Sequence, residues 1–78
     1  MIHVQLFGLL RLDTGIRELT LEAENVRQLH KALLERTDAV TQRDLDRCIV
    51  LVNGEKANKR SRLKPGDRVI LLSPVAGG

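Results

Sequence analysis

The residues with the clearest chemical potential close the sequence: "SPVAGG", Ser73 to Gly78. Glycine has no Cβ, so Gly77 and Gly78 can thread a narrow channel and take backbone angles closed to other residues. The functional group then presented is the α-carboxylate of Gly78. A carboxylate is a poor acyl donor until one oxygen becomes a leaving group. Adenylation by ATP achieves this, and sulfur can then displace AMP. Both steps call for a separate enzyme, because the sequence carries no P-loop and no nucleophile cluster. ATP is therefore expected at an activating partner, and no cofactor is expected on the chain itself. Ser73 and Pro74 are expected to release the tail from a preceding strand, since proline cannot donate to a sheet ladder. Val75 and Ala76 then span the gap. Five extended residues reach at most about 17 Å, enough to enter a partner's cleft.

The other chemically capable residues have structural readings. Cys48 is the single cysteine and cannot form an intrachain disulfide. At the start of an apolar run it reads as a small packed residue rather than a sulfur-relay thiol. His3 and His30 show no metal-ligand spacing, so no metal site is expected, and each reads as a surface or boundary side chain. Lys56, Lys59, Arg60, Arg62 and Lys64 read as a solvated basic loop, with steering toward an acidic partner as the alternative. Asp13, Asp44 and Asp46 form no convincing acid–base pair.

The length of 78 residues allows one small domain with little core to spare for a substrate pocket. A binding or carrier module is more natural than a self-contained enzyme. A net charge of +3 and a single aromatic residue, Phe7, argue against nucleic-acid binding, which uses basic surfaces and stacking platforms. There is no secretory leader pattern and no apolar run long enough to span a membrane. With one unpaired cysteine, a cytoplasmic location is expected.

These residues need positioning elements. Ile2, Val4 and Leu6 alternate with His3, Gln5 and Phe7, so the segment from Ile2 to Leu12 opens as a strand. Asp13-Thr14-Gly15 supplies a turn, and Ile16–Ala23 resumes alternation to complete a hairpin. Asn25 is a candidate N-cap with Gln28 as its capping-box partner. Val26, Leu29 and Leu33 then mark one face of a helix ending near Thr37, with Arg27, Gln28, Lys31 and Glu35 facing water. Residues 38–47 read as a loop or a short helical turn anchored by Leu45. Cys48–Val52 is a β-branched strand closed by Asn53-Gly54, Leu63–Asp67 is a turn, and Arg68–Ser73 is the last strand. One amphipathic helix must cover one face of a mixed sheet. Alternation places Val69 and Leu71 inward. Phe7, Leu51, Ile70 and Leu72 then share the open face as an apolar patch beside the tail, a candidate partner surface.

The sequence resembles the MoaD/ThiS family of ubiquitin-like sulfur carriers over essentially its whole length. The likeness rests on Leu10-Arg11, "VLVNGE" (Val50 to Glu55), "LKPGDRV" (Leu63 to Val69) and, most specifically, "PVAGG". It departs from the family in "FGLLRL", where an alanine and an acidic residue are commoner, and in "LLSP", where aromatics and a double proline are usual. The resemblance implies an α+β fold of the β-grasp (ubiquitin-like) type: a mixed sheet of four to five strands on one main helix, the terminal strands parallel and central. It places the domain at 1–72 and a flexible tail at 73–78. It further implies that Gly78 is adenylated by a ubiquitin-activating-type adenylyltransferase and converted to a thiocarboxylate, with Gly77 beside it in the channel. A sulfurtransferase or cysteine desulfurase would be the sulfur source.

Within the family the sequence is most similar to the small subunit of molybdopterin synthase, a protein co-substrate rather than an enzyme. Such a subunit inserts its tail into a large subunit and donates sulfur for the molybdenum cofactor. Phe7, Leu51, Ile70, Leu72, Pro74, Val75 and Ala76 would then contact the large subunit or the activating enzyme. The alternatives are a carrier for thiamine thiazole or another sulfur metabolite, a ubiquitin-like conjugation or interaction module, and a β-grasp binding domain with an inert tail.

Overall fold

A computed structural model of the chain describes residues 1–73; Pro74, Val75, Ala76, Gly77 and Gly78 lie outside the described residues. The elements are β1 (Ile2–Phe7), α1 (Leu9–Thr14), β2 (Glu18–Leu21), α2 (Val26–Arg36), α3 (Gln42–Asp46), β3 (Ile49–Val52), β4 (Glu55–Ala57) and β5 (Arg68–Leu72). The five strands form one sheet in the order β2-β1-β5-β3-β4. β1 and β5 are parallel neighbours, and β1–β2, β3–β5 and β3–β4 are antiparallel. A helix covering a mixed sheet whose terminal strands run parallel at its centre is the β-grasp arrangement. Among the described residues no helix is long and apolar enough to cross a membrane.

Strand alternation builds the core as expected. Ile2, Val4 and Leu6 of β1, Val50 of β3, and Val69 and Leu71 of β5 are buried on one face of the sheet. Val26, Leu29 and Leu33 of α2 and Leu45 of α3 join them in one cluster. Each fully buried Val or Leu side chain contributes about 1.5–3 kcal/mol relative to exposure. The cap of α2 forms at Asn25, whose Oδ1 accepts the Gln28 amide at 2.8 Å. The reciprocal bond goes one residue further back, with Gln28 Oε1 accepting from the Glu24 amide at 2.8 Å. α3 carries a full capping box between Thr41 and Asp44, and Leu45 is its core anchor.

The "NG" pair closes the β3–β4 hairpin with both residues at positive φ, Asn53 at 52° and Gly54 at 85°, the demand of a type I′ turn. The Asn53 side chain also ties this turn to the start of β5. Its Nδ2 donates to Asp67 Oδ1 and its Oδ1 accepts from the Arg68 amide, both at 3.0 Å. The Lys64 amide and the Asn53 amide group, both bonded to Asp67, hold that carboxyl below its ordinary pKa.

Three expectations are corrected. The segment after Phe7 is not a continuing strand closed by a "DTG" turn. Gly8 takes φ 68°, breaking the strand, and Leu9–Thr14 winds into α1 so that Leu10 can enter the core. Thr14 Oγ1 donates to the Leu10 carbonyl, and Gly15 ends the helix at φ 71°. β1 and β2 still pair as an antiparallel ladder across this helix. Second, the basic stretch is not all loop, because Glu55–Ala57 adds β4 as an edge strand against β3. Third, His30 is no boundary residue: it is 2% exposed. It lies four residues after Val26 and so falls on the helix stripe that faces inward, beside α3 and its Gln42.

Candidate partner face and the root of the tail

The open face of the sheet is laid out by the strand registers. Phe7 pairs with Leu72, and Leu72 pairs on its other side with Ile49, giving one apolar row across β1, β5 and β3. The next row on the same face runs Glu18, Gln5, Ile70, Leu51, Lys56 across all five strands. A third brings Thr20, His3 and Arg68 together. The structure therefore places Phe7, Leu51, Ile70 and Leu72 on one surface, as alternation requires. Phe7 and Leu72 are each 38% exposed, and Leu51 and Ile70 are half-buried. Ile49 belongs to the same patch and is the most exposed of it at 46%. Sequence reasoning missed it, although the signal was present: with Val50 and Val52 inward, Ile49 must point outward with Leu51. The patch is apolar where β5 ends and polar toward the opposite end, where His3 and Arg68 stand.

Of the tail residues singled out by sequence, Pro74, Val75, Ala76, Gly77 and Gly78 lie outside the described residues. Ser73 is described, and it is held rather than released. It is 6% exposed. Its Oγ accepts the Leu10 amide at 3.0 Å and donates to the Phe7 carbonyl at 3.2 Å. Its own amide donates to the same Phe7 carbonyl at 3.4 Å. α1 has no side-chain cap from its own N-terminus, where Gly8 stands. The hydroxyl of Ser73 satisfies the second helical N–H from the far end of the sequence, the role an N-cap side chain usually has. The packing is close: a Cβ on Gly8 would sit 2.7 Å from both the carbonyl oxygen and the Oγ of Ser73. No local pattern in the sequence could reveal this contact, which joins positions 63 residues apart.

A second polar cluster lies away from this face. Asp46 accepts from Lys59 Nζ at 2.7 Å and from Gln42 Nε2 at 2.8 Å, and both bonds hold its carboxyl below the ordinary range. Lys59, one of the supposedly solvated basic residues, is thus an ion-pair partner. His30 Nδ1 lies 3.5 Å from Gln42 Nε2, and His30 Nε2 is buried with no hydrogen-bond partner among the described residues. Burial lowers the imidazole pKa below 6.5; Asp46 pulls it back up and Lys59 pushes it further down. Cys48, half-buried, donates its thiol to the Asp44 carbonyl at 3.2 Å. Burial, aided by Asp44, pushes that thiol up to about 11. A thiol that stays protonated at neutral pH is a poor nucleophile, in keeping with a packing role. Asp44 caps α3 and Asp46 pairs with Lys59, so both have structural work. Among the described residues no group of three His, Cys, Asp or Glu could hold a metal ion.

The buried neutral imidazole has a consequence for stability. Its folded pKa lies below the unfolded value of 6.5, so the unfolded state binds the proton first as pH falls. Stability is fully present well above pH 6.5 and drains away below it, by up to about 1.4 kcal/mol per pH unit. Urea titrations from about pH 7.5 down to about pH 5 should show this decline, and His30→Leu should flatten it. Parallel slopes in the two proteins would assign the acid sensitivity elsewhere.

Comparison with known proteins places this geometry. The ThiS family model matches residues 4–78. The chain belongs to the ThiS family. This is a family of small ubiquitin-like sulfur carriers, which act as carriers rather than catalysts. A search of curated proteins by sequence finds no match. Among solved structures, this ThiS-family chain is similar to SAMP1 from Haloferax volcanii, with 28% identity, TM-score 0.81, and coverage of 99% of this chain and 98% of that one. It is similar to a chain in the complex of subunits 1 and 2 of molybdopterin-converting factor from Helicobacter pylori, with 27% identity, TM-score 0.68, and coverage of 99% and 97%. It is likewise similar to a chain in the BexX/CysO complex from Amycolatopsis orientalis, with 26% identity, TM-score 0.77, and full coverage of both chains. The last two are complexes with partner proteins.

Proposed function

We propose that this ThiS-family chain is the small subunit of a molybdopterin synthase, a sulfur donor in molybdenum cofactor biosynthesis. The observation that carries the carrier reading is the apolar row Phe7–Leu72–Ile49, which lies on the strand end that leads directly into Ser73 and the tail. A partner docked on that row would receive the tail within its reach. In this reading a carboxylate oxygen of Gly78 attacks the α-phosphorus of ATP in a ubiquitin-activating-type adenylyltransferase, and pyrophosphate leaves. The outer sulfur of a persulfide on a sulfurtransferase or cysteine desulfurase then attacks the acyl carbon and AMP leaves, giving an acyl disulfide. A second thiol attacks the donor's sulfur, forms a disulfide with it, and releases the thiocarboxylate. Gly77 lets the tail enter the enzyme's channel, and Pro74, Val75 and Ala76 contact the partner on the way to it. ATP belongs to the activating partner, and the setting is the cytoplasm.

The molybdopterin assignment is supported by the likeness to one chain of the Helicobacter converting-factor complex. The likeness to a chain of the Amycolatopsis BexX/CysO complex is of the same order, and it supports equally the second reading, a carrier that serves another sulfur metabolite. Intact-mass measurement tests the common step. Incubation with ATP, the activating enzyme and a sulfur donor is expected to add the mass difference of one oxygen-to-sulfur exchange. Deletion of Gly78 is expected to abolish that shift entirely. An unchanged mass for the full chain with a competent activating enzyme defeats the carrier reading, and lysine-linked adducts would indicate conjugation instead. Supplying the thiocarboxylated protein to a molybdopterin synthase large subunit and a pterin precursor then decides the acceptor.

A further inference from the structure

We propose that Ser73 is the positioning residue of the carrier tail, a hydroxyl pin that sets where and in what direction the tail leaves the domain. The inference rests on the carrier reading above and names the part of the domain that gives the tail its fixed origin. The regular ladder of β5 ends at Leu72, paired to Phe7 and Ile49. Ser73 lies one residue beyond it, yet is as buried as the core. Its hydroxyl uses both of its capacities, accepting from the Leu10 amide and donating to the Phe7 carbonyl. Both bonds end on the corner between β1 and α1, where Gly8 has no side chain and a positive φ. A Cβ at Gly8 would meet Ser73 at 2.7 Å, so the corner and the tail root approach each other this closely only with glycine at position 8.

This arrangement has a use beyond folding. The apolar row that would bind a partner includes Phe7 and Leu72, the residues whose backbone flanks the pin. Docking orients that row, and the pin holds Ser73, the last residue before the tail, fixed with respect to it. A reacting group tethered to a fixed root samples fewer wrong orientations than one tethered to a loose strand end, which raises its effective concentration at the partner's catalytic centre. Loss of the pin should therefore slow turnover of the docked complex and leave docking itself intact.

The test uses the full chain with its activating enzyme, read as ATP–pyrophosphate exchange dependent on the carrier. Ser73→Ala is expected to lower kcat by about fivefold or more while KM for the carrier stays within about twofold. Ser73→Thr, which keeps the hydroxyl, is expected to restore kcat. In the free protein, hydrogen exchange at the Leu10 amide should accelerate by about tenfold in Ser73→Ala and stay slow in Ser73→Thr. Insertion of one glycine after Ser73 leaves the pin and the core in place but detaches the tail from it, and kcat should fall likewise. A rise in KM with unchanged kcat would overturn the proposal by making Ser73 a support of the docking face. Unchanged Leu10 exchange, or an insertion variant with normal kcat, would overturn it as well. If the unaltered chain supports no exchange with a competent enzyme, the carrier reading falls and takes the positioning role with it, while Leu10 exchange still decides whether the pin exists.

Discussion

Leu71→Ala is expected to destabilise the domain by about 3–4 kcal/mol, read as a lower urea midpoint at an unchanged m-value. Leu71 is fully buried on β5, with Leu6 of β1 beside it on one side and Val50 of β3 on the other. β5 is the central strand, so the lost side chain leaves a cavity that must be closed by moving two neighbouring strands at once. Such sites relax little, and the cavity adds to the lost transfer free energy. A domain of this size has about 5–8 kcal/mol of stability to lose, so the variant should be substantially unfolded well below the melting temperature of the parent. Leu71→Met keeps the volume and should cost less than about 1.5 kcal/mol. A loss below about 1 kcal/mol for the alanine variant would show that β5 is not the packed centre of the domain.

One residue further on, the expected result reverses. Leu72→Glu should change stability by no more than about 1 kcal/mol, because Leu72 is 38% exposed and points to the open face. Its effect should appear in partner recognition, as a fall of about 100-fold in kcat/KM for activation of the tail. The carboxylate would replace the middle of the row between Phe7 and Ile49, where a partner docked as proposed would exclude water. Truncating an anchor at such a centre costs about 2 kcal/mol or more, and an unpaired buried charge adds to that. Ile49→Glu should weaken activation in the same direction. A value of kcat/KM within twofold of the parent for Leu72→Glu would remove this row from the interface. With these two outcomes the adjacent pair Leu71 and Leu72 would separate fold from function within one strand.

The contrast between those two leucines is legible in the order of residues alone, and so is much of the scaffold. Period-two alternation tells inward Val69 and Leu71 from outward Ile70 and Leu72 because a strand offers a side chain only two directions. The Asn25 cap and the Asn53-Gly54 turn are equally plain, since each depends on neighbours within a few residues. α1 is not legible in this way. Its apolar residues Leu9, Leu10 and Leu12 fit neither period, and the helix is completed by a hydroxyl from the other end of the chain. β4 is hidden because its three residues gain strand geometry from pairing with β3 rather than from their own propensity. His30 is misplaced when read by residue type: its spacing from Val26 already puts it on the inward face of α2, and the packing of α3 decides how completely that face is buried.

The sequence by itself determined the order of four of the five strands and the main helix, the alternating core side chains of those elements, and the outward placing of Phe7, Leu51, Ile70 and Leu72. All of these follow from local periodicity, which is a property of the chain alone. The tertiary structure decided what those elements bring together. It aligned Phe7, Leu72 and Ile49 in one row, because register between strands depends on pairing across long separations. It buried His30 beneath α3 and joined Lys59 to Asp46. It turned Ser73 from an expected point of release into a buried pin, because parallel pairing of the first and last strands carries that hydroxyl to the start of α1.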